Sequence, residues 1–205
     1  MFRFRVRETA IAVILVQLLV VAVTFLTAEA APLEYSRRSD DVVLSYREVV
    51  GELAGEARGP SMEIYGDGRV HVHYPGYMTR AGDWDGRLTG TELDQVVQTA
   101  VARGLLGFDP PTIRARTTQA RRATATAARL QPGRPLLFEA SDPSTVVITL
   151  RAQGRARTIV WSGLRADAKR HPDIHELVEL RAAQRDIETL MARSDLIRRP
   201  SGNTP

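Results

Sequence analysis

The stretch "SMEIYGDGRVHVHYP", residues 61–75, decides the fold of this protein. Its apolar residues alternate with polar neighbours on both sides of a central turn: Met62, Ile64, Val70, Val72 and Tyr74. This period of two is typical of strands that bury one face. The Gly-Asp-Gly segment at 66–68 contains residues that accept the positive φ angles of tight hairpins. The stretch therefore predicts two antiparallel strands with one buried face.

A helix is predicted directly after this hairpin, in "TGTELDQVVQTAVARGLLGF", residues 89–108. Its apolar residues recur three or four positions apart, which places them on one helix face: Leu93, Val96, Val97, Ala100 and Val101. Thr89 and Glu92 have the spacing of a capping box, in which each side chain binds the other's backbone N–H. Gly104 or Gly107 can end the helix, because glycine adopts the left-handed conformation that helix ends need.

The second half of the chain predicts the same succession of elements. Residues 144–161, "STVVITLRAQGRARTIVW", predict a hairpin, and residues 171–192 predict an amphipathic helix. Residues 42–50 predict a further strand, although a short helix also fits them. Together these elements predict an α+β fold: an antiparallel sheet of about four or five strands with two main helices on one face. The predicted order is hairpin, helix, insertion, hairpin, helix.

Residues 1–30 have the composition of a segment that directs a protein out of the cytoplasm. Three arginines precede an apolar run of 18 residues at 9–26, and small residues follow at Ala28 and Ala30. A basic start, an apolar middle and an A-x-A end describe a secretory signal peptide. The run is also just long enough to span a bilayer as an uncleaved anchor. Both alternatives predict an exported protein, either periplasmic or secreted, or tethered to the inner membrane.

The rest of the chain is predicted to form a single α+β domain over residues 42–194, because its length suits one core. Residues 31–41 are polar and predict a linker, and residues 195–205 predict a disordered tail. The segment at about 109–140 is rich in Arg, Ala, Thr and Pro, with few large apolar residues. It predicts a flexible insertion or a loosely held helix.

Composition and charge exclude several classes of function. The 205-residue chain contains no cysteine, so disulfides, thiol nucleophiles and cysteine metal sites are excluded. Its net charge is only +4, and we expect no nucleic-acid partner, because such binding needs a concentrated basic surface. The insertion is locally basic, and its arginines are consistent with a local contact with anionic lipid headgroups or nucleic acid, or with a solvated loop. These are Arg114, Arg116, Arg121, Arg122, Arg129 and Arg134.

A partial calcium loop precedes the first helix. With Glu92 as the twelfth position of an EF-hand loop, Asp83 and Asp85 take the third and fifth positions. Gly86 then takes the sixth, where such loops bend. Position one is Ala81, however, and a strand instead of a helix precedes the loop. The candidate ligands of a divalent-metal site are therefore Asp83, Asp85 and Glu92, and a turn followed by the helix cap is the alternative.

Histidines supply two further pairs with metal-binding spacing. His71 and His73 share one face of their predicted strand, and His171 and His175 lie four residues apart. Neutral imidazoles at such spacings can chelate a metal ion. No carboxylate is predicted to complete either pair, and the second pair is expected to face water. We therefore predict neither a metal site nor a cofactor from them.

Tyr74, Tyr77 and Trp84 lie close together in the sequence and are the candidate ligand-binding residues. Rings with a polar tip can form a platform for a glycan or a peptide, and an envelope protein meets both. The alternative is that the three rings cover the sheet beneath the first helix, since such rings often lie at the margin of a core.

Two stretches share a pattern with a known family: "IYGDGRVHVHYPGYMTRAGDWDGRLTGTEL" at 64–93 and "SDPSTVVITLRAQG" at 141–154. The pattern is a G-D-G hairpin, a polar loop, an L-[ST]-x-x-E-L helix start and an [ST]-D-x-[ST]-T strand. It resembles a family of uncharacterised exported bacterial domains over about residues 60–107 and 141–191. The chain departs from that family in its basic insertion and in lacking a cysteine before the first hairpin. The resemblance implies an α+β fold and export, but no activity and no functional residue.

The sequence contains no motif of a familiar catalytic class, neither G-x-S-x-G nor H-E-x-x-H nor a phosphate-binding glycine loop. We therefore predict no catalytic residue, and a non-catalytic binding or accessory domain of the cell envelope. Its partner would be an envelope protein, a glycan or the membrane surface. The alternatives are a divalent-metal (calcium)-binding protein that uses the loop at 83–92, and a hydrolase with an unrecognised site.

Overall fold

The computed structural model describes residues 33–50, 58–129 and 144–200, so the leader predicted at 1–30 lies outside the described residues. The described part has an α+β fold with a seven-stranded antiparallel sheet and four α-helices. The predicted fold class is confirmed. The prediction of four or five strands and two main helices was too low, because it missed elements without strong apolar periodicity.

The sheet joins the two predicted hairpins through a central strand. The strands are β1 (Val42–Val49), β2 (Arg58–Tyr65), β3 (Arg69–Tyr74), β4 (Gly82–Arg87), β5 (Thr145–Ala152), β6 (Arg155–Ser162) and β7 (Ile197–Arg198). The helices are α1 (Gly90–Ala102), α2 (Pro110–Arg129), α3 (Leu164–Arg170) and α4 (His175–Met191). The strand order is β6-β5-β1-β2-β3-β4-β7. The segment at 42–50 is thus a strand, and it pairs with both β2 and β5.

Both predicted hairpins form. In the first, Ile64 pairs with Val70, and Gly68 in the turn has a φ of +85°. In the second, β5 and β6 pair along their whole length without a bulge. Gln153 and Gly154 connect them with φ values of 53° and 64°. Two successive positive φ angles are typical of the two-residue turn whose twist matches that of antiparallel strands.

The sheet has one buried and one open face. Helices cover the first: the Tyr46 hydroxyl accepts a 3.1 Å hydrogen bond from Gln184 of α4, and Tyr74 donates to the Met191 carbonyl at 2.8 Å. The intervening residues of the strands lie on the open face and are partly exposed, among them Ser61, Glu63, His71 and His73. The predicted alternation therefore separates core from solvent across the sheet.

The predicted limits of α1 are confirmed. The Thr89 hydroxyl accepts from the backbone N–H of Glu92 at 3.2 Å, and the Glu92 carboxylate accepts from the backbone N–H of Thr89 at 2.7 Å. These two bonds form the complete capping box. Gly104 follows the helix with a φ of +76°, in the left-handed region that favours glycine.

Residues 34–41, predicted as part of a linker, bind to the domain and form a strap. The Tyr35 hydroxyl donates to Asp94 of α1 at 2.7 Å. The strap also passes close to Gly66 in the β2–β3 turn, where a Cβ would lie 2.3 Å from the Ser36 carbonyl oxygen. Glycine at position 66 is therefore required for the strap to lie where it does.

The predicted insertion and tail contain ordered elements. Of the two alternatives for 109–140, the described part is the helix α2, which buries Ile113 and Thr117. Residues 130–140 lie outside the described part. In the predicted tail, Leu196 is only 6% exposed, and the next two residues form β7 beside β4. The tail prediction was wrong for these residues, because a two-residue strand leaves no periodic signal in a sequence.

Candidate functional site

A cleft lies between α1 and α4 on the helical side of the sheet, with a volume of about 390 Å³. Its floor consists of buried apolar side chains: Leu44, Leu88, Ala100, Leu105, Ala183 and Ile187. Its walls consist of partly or fully exposed residues of the two helices: Gln95, Val96, Thr99, Asp186, Thr189 and Leu190. The cleft is therefore apolar at its base and polar along its rim.

Helical periodicity and small side chains produce the cleft. Val97 points into the core and is 0% exposed, whereas Val96 lies on the shoulder of α1 and remains partly exposed. At the base, Ala100 and Ala183 present only methyl groups, which leave space that a larger residue would fill. The sequence places Val96 on the apolar stripe of α1, but the stripe does not show how closely α4 approaches it.

Arginine bridges link the two helices at both ends of the cleft. Arg103, just after α1, donates to Asp186 at 2.6 Å and to Glu179 at 2.8 Å, both on α4. Arg193, just after α4, donates to Glu92 at the start of α1 at 3.1 Å. The three charged residues that line the cleft, Glu92, Asp186 and Arg193, are thus each in an ion pair. The cleft consequently offers apolar contact to a ligand without an unpaired charge.

The predicted calcium ligands are not brought together. Asp83 and Asp85 lie on one face of β4, whereas Glu92 belongs to the capping box of α1. The backbone N–H of Thr89 lowers the pKa of the Glu92 carboxyl, which therefore serves the helix start. β4 continues to Arg87 and α1 begins at Gly90, so the chain between these residues does not form an EF-hand loop. Within the described ranges, no group of three or more His, Asp or Glu side chains is arranged to hold a metal ion.

The histidines of β3 are paired with the carboxylates of β4. His71 Nδ1 lies 2.9 Å from Asp85 Oδ1, and His73 Nδ1 lies 2.8 Å from Asp83 Oδ1. Arg199 also donates two 2.9 Å hydrogen bonds to Asp85. Partial burial raises the pKa of Asp85, but the hydrogen bonds from His71 and Arg199 lower it overall. These pairs were not predicted, because the sequence does not show the register in which each histidine of β3 faces an aspartate of β4.

The second histidine pair is divided between core and surface. His171 was expected to face water, but it is only 4% exposed. Its backbone N–H donates to the Asp167 carbonyl at 2.9 Å, and His171 is the residue at which α3 ends. His175 is exposed at the first position of α4. The expectation was wrong for His171 because the turn between α3 and α4 folds back onto the core.

The three candidate aromatic residues have different environments. Tyr74 is 8% exposed and belongs to the core, whereas Tyr77 is 64% exposed. The Trp84 ring lies under the guanidinium of Arg80 at 4.5 Å, and its Nε1 donates to the Arg80 carbonyl at 2.9 Å. The structure therefore does not present the three rings on one accessible surface.

Three of the arginines predicted in the insertion hold α2 against the domain. Arg114 donates to a backbone carbonyl of β6 at 2.8 Å, and Arg116 pairs with Glu176 of α4 at 2.6 Å. Arg121 pairs with Asp167 of α3. Arg122 is exposed. Of the six arginines, Arg129 and Arg134 have side chains outside the described part. Much of the basic character of the insertion is thus used within the fold.

Comparison of the chain with family models, with curated proteins and with solved structures found no significant match. The resemblance to uncharacterised exported domains therefore stays a prediction. Within residues 33–50, 58–129 and 144–200, no helix has the length and apolar character needed to cross a membrane.

Proposed function

We propose that this protein is an exported, non-catalytic binding domain of the cell envelope, and that its α1–α4 cleft binds an apolar group of its partner. The observation that carries the proposal is the cleft itself. Its volume of about 390 Å³ falls in the range of about 300–1,000 Å³ that is typical of ligand sites. Burial of apolar surface there is favourable, by about 25 cal/mol per Å² removed from water.

The chemistry of the cleft supports binding over catalysis. Its hydroxyl groups, Thr99 and Thr189, lie on separate helices. The acidic residues of the lining, Glu92 and Asp186, bind arginines and are not paired with a histidine. A nucleophile needs an oriented base, and the lining residues do not supply one. Among the predicted partners, an apolar cleft favours a lipid or an apolar protein segment over a glycan, whose hydroxyl groups need hydrogen bonds.

Binding to the cleft is testable with a neutral naphthylamine dye whose fluorescence rises in apolar surroundings. Val96→Trp would fill the cleft from its wall, and Val160→Trp adds the same side chain on the open face of β6, where Val160 is 43% exposed. We expect the unmodified protein and Val160→Trp to bind alike, and Val96→Trp to bind at least about tenfold more weakly. Equal binding by both variants would exclude the cleft as the site.

Export is a separate part of the proposal, supported by the basic, apolar and small-residue segments of residues 1–30. Cell fractionation combined with determination of the N-terminal residue tests it. Ala31 at the N-terminus of a soluble exported form would indicate cleavage, and an intact Met1 in the membrane fraction would indicate an anchor. Recovery of the intact chain from the cytoplasm alone would refute export.

A further inference from the structure

The two edges of the sheet differ in how well they are protected against pairing with another chain. At one edge, β7 has only two residues and carries Arg198, and Arg199 and Pro200 follow it directly. Short strands, charged side chains and proline are usual means of blocking an edge. At the other edge, β6 has eight residues, contains no proline and pairs with β5 without a bulge. Of the two strands, β6 is therefore the one that can accept a further strand.

The hairpin of β5 and β6 determines which backbone groups β6 presents outward. Arg155 follows the two-residue turn directly, so its backbone N–H and C=O bond to β5, and this orientation alternates along the strand. Ala156, Thr158 and Val160 therefore direct their N–H and C=O groups away from β5. In agreement, the Val160 carbonyl accepts a hydrogen bond from Arg114 at 2.8 Å. The outward groups of Ala156 and Thr158, which we call the β6 edge, have no hydrogen-bond partner among the described residues.

Side chains leave the β6 edge accessible. Ala156 and Thr158 are small, uncharged and exposed on the open face of the sheet. Arg157 lies between them on the opposite face, where its Nε donates to the Phe108 carbonyl at 2.7 Å. An extended segment can thus reach the backbone of the edge without displacing a side chain, and main-chain hydrogen bonds would hold it there.

Arginines around the β6 edge determine the kind of segment that it favours. Arg114 lies at one end of the edge, and Arg151 of β5 lies opposite its first residue. These two and Arg155 each donate to a backbone carbonyl, and none of the three is paired with a carboxylate of the described residues. The remaining arginine, Arg157, lies 3.6 Å from Asp109. We infer that the β6 edge binds an extended, acidic segment of a partner protein as an additional strand of the sheet.

A second copy of this chain suits the edge less well than an acidic segment. An antiparallel pairing of two β6 edges centred on Thr158 would place Arg114 of each copy beside Arg155 of the other. Juxtaposed like charges disfavour such an interface, whereas carboxylates of a different partner would meet the same arginines with opposite charge. The charges around the edge therefore favour a partner other than the chain itself.

Binding of synthetic peptides to the full chain, in the form in which the cell processes it, tests the inference. The probe is a fluorescein-labelled peptide of about ten residues in which threonine and valine alternate and two positions carry glutamate. A matched peptide carries lysine at those two positions. We expect the lysine peptide to bind at least about tenfold more weakly at low salt, and the difference to shrink in about 1 M NaCl, where charges are screened beyond about 3 Å. Equal binding of the two peptides at low salt would overturn the acidic partner.

Variants at one position test pairing through the backbone. Thr158→Pro removes an outward N–H of β6 but no hydrogen bond to β5, and proline is tolerated on an edge strand in that orientation. Thr158→Val is the matched control, because it keeps the N–H and loses the same 3.0 Å hydroxyl contact with Thr149. We expect Thr158→Pro to bind the glutamate peptide at least about fivefold more weakly than Thr158→Val. Equal binding by the two variants, with thermal unfolding showing that both are folded, would contradict pairing at this edge.

Amide hydrogen exchange of the unmodified protein gives the same test without a substitution. Saturation with the glutamate peptide should slow exchange of the Ala156 and Thr158 amides at least about fivefold and leave that of Arg157, which already bonds to β5, unchanged. Unchanged exchange at Ala156 and Thr158 would refute the inference. So would concentration-dependent dimerisation that Thr158→Pro abolishes, because the edge would then belong to a second copy.

The inference and the proposed function fail separately, because the residues that line the α1–α4 cleft do not include any of β6. Thr158→Pro should bind the naphthylamine dye as the unmodified protein does. If the chain binds the dye in its cleft but does not bind the glutamate peptide, the inference about the β6 edge is wrong and the proposed function stands.

Discussion

Replacing Gly86 by alanine is expected to destabilise the fold through the C-terminal segment. A Cβ at position 86 would lie 2.4 Å from Leu196 Cδ2, well inside the contact distance of about 3.5–4.0 Å. Leu196 is only 6% exposed, so its side chain has little room to move. Overpacking of this kind costs about 1–3 kcal/mol, and the reduced backbone entropy of the unfolded alanine chain offsets about 0.4–1 kcal/mol. We expect the free energy of unfolding to fall by about 1–2 kcal/mol.

A second substitution tests the cause. Leu196→Ala removes the side chain that the new methyl group meets, and by itself should cost about 2–3 kcal/mol for lost burial. In the double variant, the methyl group at position 86 occupies part of the space that Leu196 left. The combined loss should therefore be smaller than the sum of the two single losses by at least about 1 kcal/mol.

Urea unfolding of the four proteins, followed by tryptophan fluorescence, measures these free energies. Gly76→Ala is the matched control, because a Cβ at position 76 has no atom within 4 Å and should be neutral or slightly stabilising. If Gly86→Ala is as stable as Gly76→Ala, or if the double variant is additive, then close packing of Leu196 on β4 does not hold the C-terminal segment.

Other perturbations test separate parts of the fold. Asp167 is 6% exposed and accepts a 3.2 Å hydrogen bond from Trp161 Nε1. Asp167→Ala should therefore lower the melting temperature strongly and reduce the free energy of unfolding by about 3 kcal/mol. Asp167→Asn keeps an acceptor for the indole and should lose only about 1–2 kcal/mol. Thr89→Ala removes half of the capping box and should cost about 1 kcal/mol in urea unfolding. The hydrogen bond from Tyr35 lowers the pKa of Asp94. A carboxyl whose pKa is lower in the folded state stabilises the fold at pH values above the ordinary aspartate pKa of about 3.9. That stability is lost as the pH falls through the folded-state pKa. The unmodified protein should therefore be more stable than Asp94→Asn at pH 7 but not near pH 2. An equal difference in stability at both pH values would contradict this role.

Local patterns were sufficient for the elements that bury a periodic face. The hairpin around 61–75 and the helix after Thr89 follow from spacings of two and of three to four residues, which reflect how strands and helices present side chains to a core. The capping box and the turn at Gly104 were also predictable, because each involves residues only a few positions apart. None of these features depends on a distant part of the chain.

Elements that depend on distant partners were not predictable. β4 has no buried apolar face, and its residues are partly exposed, so its sequence shows no alternation. Its pairing with β3 places Asp83 and Asp85 opposite the histidines, which no sequence spacing indicates. β7 pairs with β4, and Leu196 just before it packs at Gly86, more than a hundred positions away in the sequence.

The sequence by itself determined an α+β fold, two hairpins and a capped helix, because these depend on side-chain periodicity and on backbone preferences of single residues. Only the tertiary structure decided that the strap packs against α1 and the β2–β3 turn and that the C-terminal segment pairs with β4. It also decided that α1 and α4 leave an apolar cleft between two arginine bridges. The physical reason is that a cleft is space left by packing. Its width depends on how closely two helices approach, and that distance depends on contacts among residues far apart in the chain.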